Sequence, residues 1–551
     1  MTTKKRTLLT VAAVAVALLV IGAVFYLQLP ALNIYSNEFW GFLTFAIAII
    51  ALPVAFIFSY DSFVRAGGRG KRLKTVDIKF SKKTKVILAV VILIPVAVLL
   101  LGNLFSGVFF NAIAYSEIIQ VESGIFKDDM PETTTVTNIA LMDTQSAIEI
   151  GGRVLSSTQY EVSPNYTQIN YKGTPKKVSC LEYTGFFKWI NNRDTGLPGF
   201  VMVDPVKSSA EYVLLDTPMK YVQSAYFGDN LYRRLRFDYP TKIFNSIYFE
   251  IDEDGNPWFI VSCVEPKIGL FGGYDVSEVI IFNPCDGSSE IYDVDETPSW
   301  IDIVYNGDLA CQKYNWYGIY HDGYWNSVIS KIDCRQTTDD YGYIALGDDV
   351  WYFTGVTSLS NDASNIGFII SNARTGEYKF YPVIGAEEHS AMNSAQGEVQ
   401  EKGYVASFPA LVNIAGEPTY IMVLKDDVGL VRLYALVNVK NYRIVVTAEN
   451  QKDAIEAYRK QLREEGIIDG GDQGSDDPVI YDIIVSDVRL AYIDGETVVY
   501  ITSEDGIVHK GYLNIDESLI LIRKGDKIRL TCTPTEISEI FSIRSWSRVE
   551  S

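Results

Sequence analysis

Three long apolar runs occupy the first 110 residues, Thr7 to Leu29, Phe39 to Tyr60 and Val86 to Phe110, and no comparable run occurs later. At a rise of about 1.5 Å per residue, roughly 20 apolar residues cross a hydrocarbon core about 30 Å thick. Each run reaches that length almost without charge, so transmembrane helices are expected at 7–29, 39–60 and 86–110. Beyond the polar run from Pro131 to Thr135 the pattern changes to short alternations rich in Tyr, Phe, Val and Ile. Gly, Asp and Asn break them, as antiparallel strands and tight turns require.

The polar residues between the runs orient them. Lys4, Lys5 and Arg6 precede the first. Arg65, Arg69, Lys71, Arg72, Lys74, Lys79, Lys82, Lys83 and Lys85 crowd the loop before the third, and the loop from Pro30 to Glu38 has no basic residue. The positive-inside bias then predicts a cytoplasmic amino terminus and an extracytoplasmic chain after about residue 110. A cleaved signal peptide shares these features, but its apolar core is shorter, so an uncleaved anchor is expected. Pro53 and Pro95 predict kinks, and the lack of an ionisable residue in mid-span argues against an ion route.

Internal similarity organises the remainder of the chain. A Gly-x-Pro turn, or a relaxed form of it, recurs at Gly173-Thr174-Pro175, Gly255-Asn256-Pro257, Gly347-Asp348-Asp349 and Gly416-Glu417-Pro418. After each comes an apolar strand ending in Asp or Asn, a polar turn and another strand, with the turns at Asp204, Asn283, Asn372 and Asn438. Gly and Asx supply the positive φ of a hairpin and Pro presets the next backbone angle, so each unit should be an antiparallel meander. Spacings of 69 to 92 residues are too long and irregular for regular propeller blades. Helices are expected at Met219 to Phe237, broken near Gly228, at Glu387 to Ala395 and at Glu449 to Glu465. In the last, Ala454, Ile455, Tyr458 and Leu462 share one face, and Glu456 and Lys460 pair on the other.

The stretch Ser371-Asn372-Ala373-Arg374-Thr375-Gly376-Glu377, with Asn283-Pro284-Cys285-Asp286-Gly287 as a looser copy, resembles the turn of PepSY domains. The resemblance extends over 168–465. It implies bacterial extracytoplasmic α+β modules that bind or restrain a partner protein, and no functional residue carries over. The resulting fold class is a membrane-anchored α+β protein: a three-helix transmembrane domain (1–112), a partly helical connector (113–167), four tandem sheet-plus-helix units (168–465), an acidic Gly-rich linker (466–478) and a small β-barrel (479–551). The barrel has strands expected at Ile483 to Tyr492, Thr497 to Ser503 and Lys527 to Thr533. It resembles OB-like modules, which bind oligosaccharides, nucleic acids or proteins.

Charge sharpens the partner classes. Up to Asn111 the chain has 12 Lys/Arg against 3 Asp/Glu, net +9, leaving −29 for the rest of a chain whose total is −20. An acidic outer part disfavours nucleic acid, whereas the basic inner loop suits anionic membrane lipid. Gly67-Gly68-Arg69-Gly70 lacks the Lys-Ser/Thr pair of a phosphate-binding loop, and the linker lacks the spacing of a calcium loop.

No catalytic set emerges. His321, His389 and His509 have no metal spacing, and no metal or other cofactor motif is present. His389-Ser390 beside Glu387 and Glu388 reads as a polar helix face. Asp252, Asp254, Asp339 and Asp340 read as turn residues, although paired carboxylates of a glycosidase would look the same. Cys263 with Cys285 and Cys311 with Cys334 are candidate disulfides among six cysteines, and buried thiols are the alternative. Tyr314, Trp316, Tyr317, Tyr320, Tyr324 and Trp325 are candidate binding aromatics, with core packing as the alternative. The expected function is a non-enzymatic protein-binding, regulatory or scaffold module of the cell envelope, partnered by another envelope or secreted protein. An envelope hydrolase and a cell-wall glycan receptor are the alternatives.

Overall fold

The computed structural model describes residues 3–66, 82–133, 141–142, 144–155, 160–207, 209–338, 340–359, 365–427, 429–468, 479–493, 496–513, 517–534 and 540–548. Most of the basic loop with Gly67 to Gly70, Thr134 and Thr135, Asp339, the linker after Ile468 and the Asp494-Gly495 turn lie outside the described residues.

The apolar runs form α1 (Thr3–Gln28), α2 (Asn37–Ala66) and α3 (Lys82–Ser106), with α2 packed against both others. Thr7–Gln28 and Ala89–Ser106 are long and apolar enough to cross a membrane; the corresponding stretch of α2, Asn37–Ala51, is shorter. The single helix expected over 86–110 is interrupted. Gly107 is extended (φ −74°, ψ 161°) and α4 (Val108–Ser116) restarts the helix after it. The Asn111 amide donates to the carbonyls of Phe105 (2.7 Å) and Gly107 (3.0 Å), satisfying groups the break exposes.

The expected connector is structured. It holds β1 (Val121–Ser123), α5 (Phe126–Asp129), α6 (Thr144–Val154) and β2 (Glu161–Val162). The first sheet comes next, with β3 (Thr167–Tyr171), β4 (Thr174–Glu182), α7 (Phe186–Asn192), β5 (Leu197–Asp204) and β6 (Ser209–Met219), and β2 alongside β4. Then α8 (Leu231–Asp238) leads into a second sheet of β7 (Phe244–Ile251), β8 (Pro257–Ile268), β9 (Gly272–Phe282) and β10 (Ser289–Asp293). The helix expected from Met219 is thus only α8, because Met219 ends β6.

The third sheet is introduced by α9 (Gly307–Tyr320), α10 (Gly323–Trp325) and a π-helical turn (Asn326–Ser330). It contains β11 (Arg335–Thr337), β12 (Gly342–Leu346), β13 (Asp349–Ser358), β14 (Asn365–Asn372) and β15 (Tyr378–Tyr381), and β1 pairs in parallel with β15. The fourth lies beyond α11 (Glu388–Glu398) and contains β16 (Val405–Ala406), β17 (Ala410–Ile414), β18 (Glu417–Lys425), β19 (Val431–Asn438) and β20 (Val445–Ala448). In α12 (Gln451–Glu464), Ala454, Ile455, Tyr458 and Leu462 are buried as expected, but Glu456 pairs with Lys452 and Lys460 with Glu464.

Local chemistry explains the hairpins. Lys172 and Gly173 both have positive φ between β3 and β4, as do Ala415 and Gly416 between β17 and β18. At the later turns Asp204 Oδ1 accepts from the backbone of Val206 and Lys207, and Asn283 Oδ1 from that of Cys285. Asn372 Oδ1 accepts from Arg374 and Thr375, and Asn438 Oδ1 from Asn441. The Asx residue holds each turn through its own side chain.

Neighbouring sheets share their cores. Val178, Phe200 and Val203 of the first pack with Phe249, Phe259, Val261 and Phe282 of the second. The second sheet's other face meets Ile301, Val304 and Leu309, and Ala310 and Tyr314 of α9 continue onto Tyr352, Ile369 and Tyr378 of the third. Phe353, Phe368 and Ile370 of the third pack with Tyr420, Met422 and Val437 of the fourth, under Ala391 and Ala395 of α11. A cavity lined by Met142 and Ile150 on one side and Val423 and Tyr434 on the other lies between α6 and the fourth sheet.

The chain divides into two compact units, Met1–Tyr458 and Arg459–Ser551. The second contains a closed five-stranded barrel of β21 (Val479–Ile493), β22 (Glu496–Ser503), β23 (Val508–Tyr512), β24 (Lys527–Pro534) and β25 (Ile540–Arg548) in the order β21-β22-β23-β25-β24. Among these strands β23 and β25 run parallel and the other pairs antiparallel. Val499, Ile501, Ile528, Leu530 and Cys532 fill the barrel.

Candidate functional site

Within the first unit, β3 lies against β7 and β12 against β17, and a cavity of about 350 Å3 opens among them. Gln168, Ile169 and Asn170 of β3, Tyr343 to Leu346 of β12 and Ala410 to Asn413 of β17 form its walls, with Met130 to Thr133. One strand from each of three sheets thus converges on it. Among the described residues, β3 pairs only with β4 and β12 only with β13. The edge of β17 is taken up by the chain itself: Glu132 bridges Asn413 in parallel, Thr133 N–H donates to the Asn413 carbonyl (2.7 Å) and the Asn413 amide donates to the Met130 carbonyl (2.8 Å). Among the described residues Glu132 is the one carboxylate on the wall, and the rest is apolar, amide or hydroxyl.

Three other carboxylates lie buried close to the joints between sheets. Glu250, fully buried on β7, accepts the backbone N–H groups of Asp302 and Ile303, both at 2.9 Å. Asp302 in turn accepts the N–H of Asn170 on the open edge of β3 (2.9 Å). Glu388 on α11 accepts the N–H of Gly355 on β13 (2.6 Å) and the Thr338 hydroxyl (3.2 Å). Burial pushes all three upward, Asp302 to about 7; Glu250 is also raised by Asp302, while the N–H donors oppose the rise. These acids cap backbone donors across element boundaries, which is a structural task.

The six candidate aromatics disperse over three environments. Tyr314 is fully buried, and Tyr317 stacks beside it with Arg335 over its ring. Trp316 and Tyr320 line a groove of about 580 Å3 along α9, with Asp308, Gln312, Asn315, Gln336 and Asp340. Trp316 also meets Tyr115 edge-on at 4.9 Å. Tyr324 and Trp325 instead pack on Phe109 of α4.

Neither candidate cysteine pair is brought together, and all six cysteines are free thiols. Cys263 is in register with Glu278, and Cys285 lies in the turn beyond the end of β9 at Phe282, so the four strand residues between, about 13 Å, already separate the pair. Cys334 donates to the carbonyl of Ile319, eight residues and about 12 Å along α9 from Cys311. Burial pushes Cys263 and Cys311 up to about 12 and Cys285 to about 11, which keeps them protonated and unreactive. His389 packs on Phe408 while the Ser390 hydroxyl donates to Glu387 (3.4 Å), so the His389 ring and the Ser390 hydroxyl are engaged with different partners. No metal-holding cluster of His, Cys, Asp and Glu occurs among the described residues.

The cavity is not legible in the sequence because its walls come from strands spread over more than 200 residues of chain, from β3 to β17. Its one sequence signal is that Gly173, Pro175 and Gly347, from two of the recurring turns, line it.

No protein-family model matches the chain, and no curated protein matches it. Among solved structures, one similar chain is a proposed exo-beta-1,3-galactanase from Bifidobacterium bifidum s17, at 10% identity and a TM-score of 0.17, over 54% of this chain and 72% of that one. Similarity that slight carries no argument about fold or function.

Proposed function

We propose that this is an integral membrane protein whose extracytoplasmic part is a non-enzymatic protein-binding module of the cell envelope, and that it takes an extended segment of its partner into the central cavity. The observation that carries this reading is the bridge between Glu132 and Asn413, a short segment of the chain's own lying along the cavity wall. Opposite it, β12 has an edge onto which a further extended segment can add. Main-chain hydrogen bonds would supply affinity, and Tyr343 and Leu346 would select side chains. A wall with one carboxylate, and buried acids already occupied by backbone donors, favour binding over hydrolysis.

On the same reading the four sheets are tandem units of the PepSY-like kind, which their matching Asx-held turns support. The barrel is an OB-like module, and three helices place the amino terminus in the cytoplasm. Bonding of both Leu32 and Ser106 to the region of the second sheet supports that topology, since it sets the α1–α2 loop and the end of α3 on one side.

The test is a photo-crosslinking residue at Ala345, which is exposed on the cavity wall. Adducts from intact membranes should map to one short stretch of one partner. Scattered adducts, or a hydrolytic activity lost in Glu132→Gln, would overturn the reading.

A glycan receptor is the second reading, favoured by the α9 groove, where Trp316 and Tyr320 stand among amides and the carboxylates of Asp308 and Asp340. Aromatic faces beside planar polar groups suit sugar rings. Retention of the protein on cell-wall polysaccharide, lost in Tyr320→Ala, would support it.

A further inference from the structure

We propose that the outer part of the first unit lies on the bilayer, with an aromatic patch formed by α4 and the Gly323 to Ile332 segment embedded in the lipid–water interface. The inference rests on reading α1 and α3 as membrane-crossing helices.

The patch begins where α3 ends. Leu100, Leu101, Leu104 and Phe105 are exposed on the last turns of α3, and Phe109, Phe110 and Ile113 continue that apolar surface onto α4. Phe109 then meets Tyr324 at 5.0 Å and Trp325 at 6.1 Å. Trp325, Val328, Ile329 and Ile332 extend the surface, with Trp325 64% and Ile329 74% exposed. A soluble face does not gather so many large apolar side chains, and here the gathering is unbroken from a span suited to lipid. Trp and Tyr next to the end of a spanning helix are the usual occupants of the headgroup layer.

Backbone satisfaction is a second and independent observation. The irregular turn from Asn326 to Ser330 bonds internally: the Asn326 amide donates to the Ile332 carbonyl (2.9 Å), the Ser327 hydroxyl to that of Tyr324 (2.7 Å) and the Lys331 N–H to that of Asn326 (2.7 Å). The break at Gly107 is closed by Asn111 in the same way. Non-helical backbone tolerates a poorly hydrated layer when its polar groups are met from within. A parallel arrangement flanks α1, where Phe237 packs on Phe25 and Tyr26. Arg233 lies over Tyr26 and donates to the carbonyl of Phe227, itself exposed beside Phe186.

The test places the full-length protein in nanodiscs with or without brominated lipid and compares it with Trp325→Phe, the difference between the two giving the emission of Trp325. Brominated lipid should quench that emission by roughly half, with little effect of aqueous acrylamide. Quenching by acrylamide alone would put the patch in water. Shielding from both quenchers would put it against protein, a second copy included, and either result overturns the proposal. Alkaline carbonate extraction of native membranes separates this from the parent reading. A protein that stays in the pellet while Trp325 is acrylamide-accessible keeps its spans and loses only the interfacial patch, whereas release into the supernatant removes the spans themselves.

Discussion

Buried titratable groups give the two units opposite responses to pH. Asp302 binds its proton more tightly when folded, because burial outweighs the Asn170 hydrogen bond and lifts it from 3.8 to about 7. Its stabilising contribution is therefore complete below about pH 3.8 and is lost as pH rises through 7, with Glu250 acting in the same direction. Asp302→Asn keeps an acceptor for Asn170 and removes the charge. The variant should be more stable than the parent at pH 8 by about 1–4 kcal/mol and indistinguishable at pH 4, read from urea midpoints. An equal gap at both pH values would refute the assignment. His509 has the reverse sign. Inside the barrel its ring lies by Tyr481 and Cys532, and burial holds it down from 6.5 to about 4. The barrel's contribution from His509 is thus whole above pH 6.5 and fades as pH falls through 4. Hydrogen exchange over 498–501, corrected for intrinsic rates, should show protection falling across that range in the parent and not in His509→Phe.

At the scale of elements, helix α9 and the Asx turns show which sequence signals translate into structure. The turn of the third sheet needs Gly376 at φ 74°, and a Cβ there would stand 2.8 Å from the Tyr305 ring. Gly376→Ala should cost about 2 kcal/mol in urea unfolding, whereas the same change at Gly397, helical in α11 with open space around it, should be neutral or stabilise by up to about 1 kcal/mol. Such turns were legible because their requirements are local: Asn372 and Gly376 do the same work in any surroundings. By contrast α9 was not legible as a helix. It carries buried residues towards both the second and third sheets, Lys313 among them, and its groove face mixes Asp308, Gln312 and Asn315 with Trp316 and Tyr320, so polarity shows no clean period and its Tyr and Trp read as a surface cluster. Its cation is also internal: Lys313, 3% exposed, pairs with Asp275 on β9 beneath the ring of Tyr305. Asp275→Ala would strand that charge and should destabilise by about 3 kcal/mol, while Asp275→Leu with Lys313→Met should recover most of the loss. The candidate site was hidden for a related reason. Strand edges become a cavity only once β3, β12 and β17 are assembled, and no residue type marks an edge.

Across the whole first unit, the apolar helices and the sheets are interlocked rather than tethered. The α1–α2 loop is bonded into the second-sheet region, Leu32 N–H to the Pro240 carbonyl (2.7 Å) and the Asn33 amide to that of Thr241 (2.8 Å). Ser106 at the end of α3 accepts from the N–H groups of Leu270 and Phe271. At the centre is Arg236, 1% exposed, with its guanidinium over Phe244. Its Nε donates to the Leu29 carbonyl (3.0 Å), and NH1 donates to those of Lys242 (2.6 Å) and Tyr239 (3.3 Å). One cation therefore closes the end of α1, the end of α8 and the start of β7 together. From β7 the connection continues inward through Glu250 and Asp302 to Asn170 on the cavity wall. The cavity wall and the ends of the apolar helices are thus joined through β7, and on the proposed reading this joint is the route by which a bound segment would bias the helices. Arg236→Met preserves the packing over Phe244 but leaves those carbonyls without their donor, and should cost about 3 kcal/mol at this joint. The check is hydrogen exchange in nanodiscs: protection across 29–36 and 240–244 should fall together by roughly a hundredfold while that of β13 and β18 is unchanged. Loss confined to 240–244 would mean that the loop is held without Arg236, and the path from cavity to helices would have to begin elsewhere.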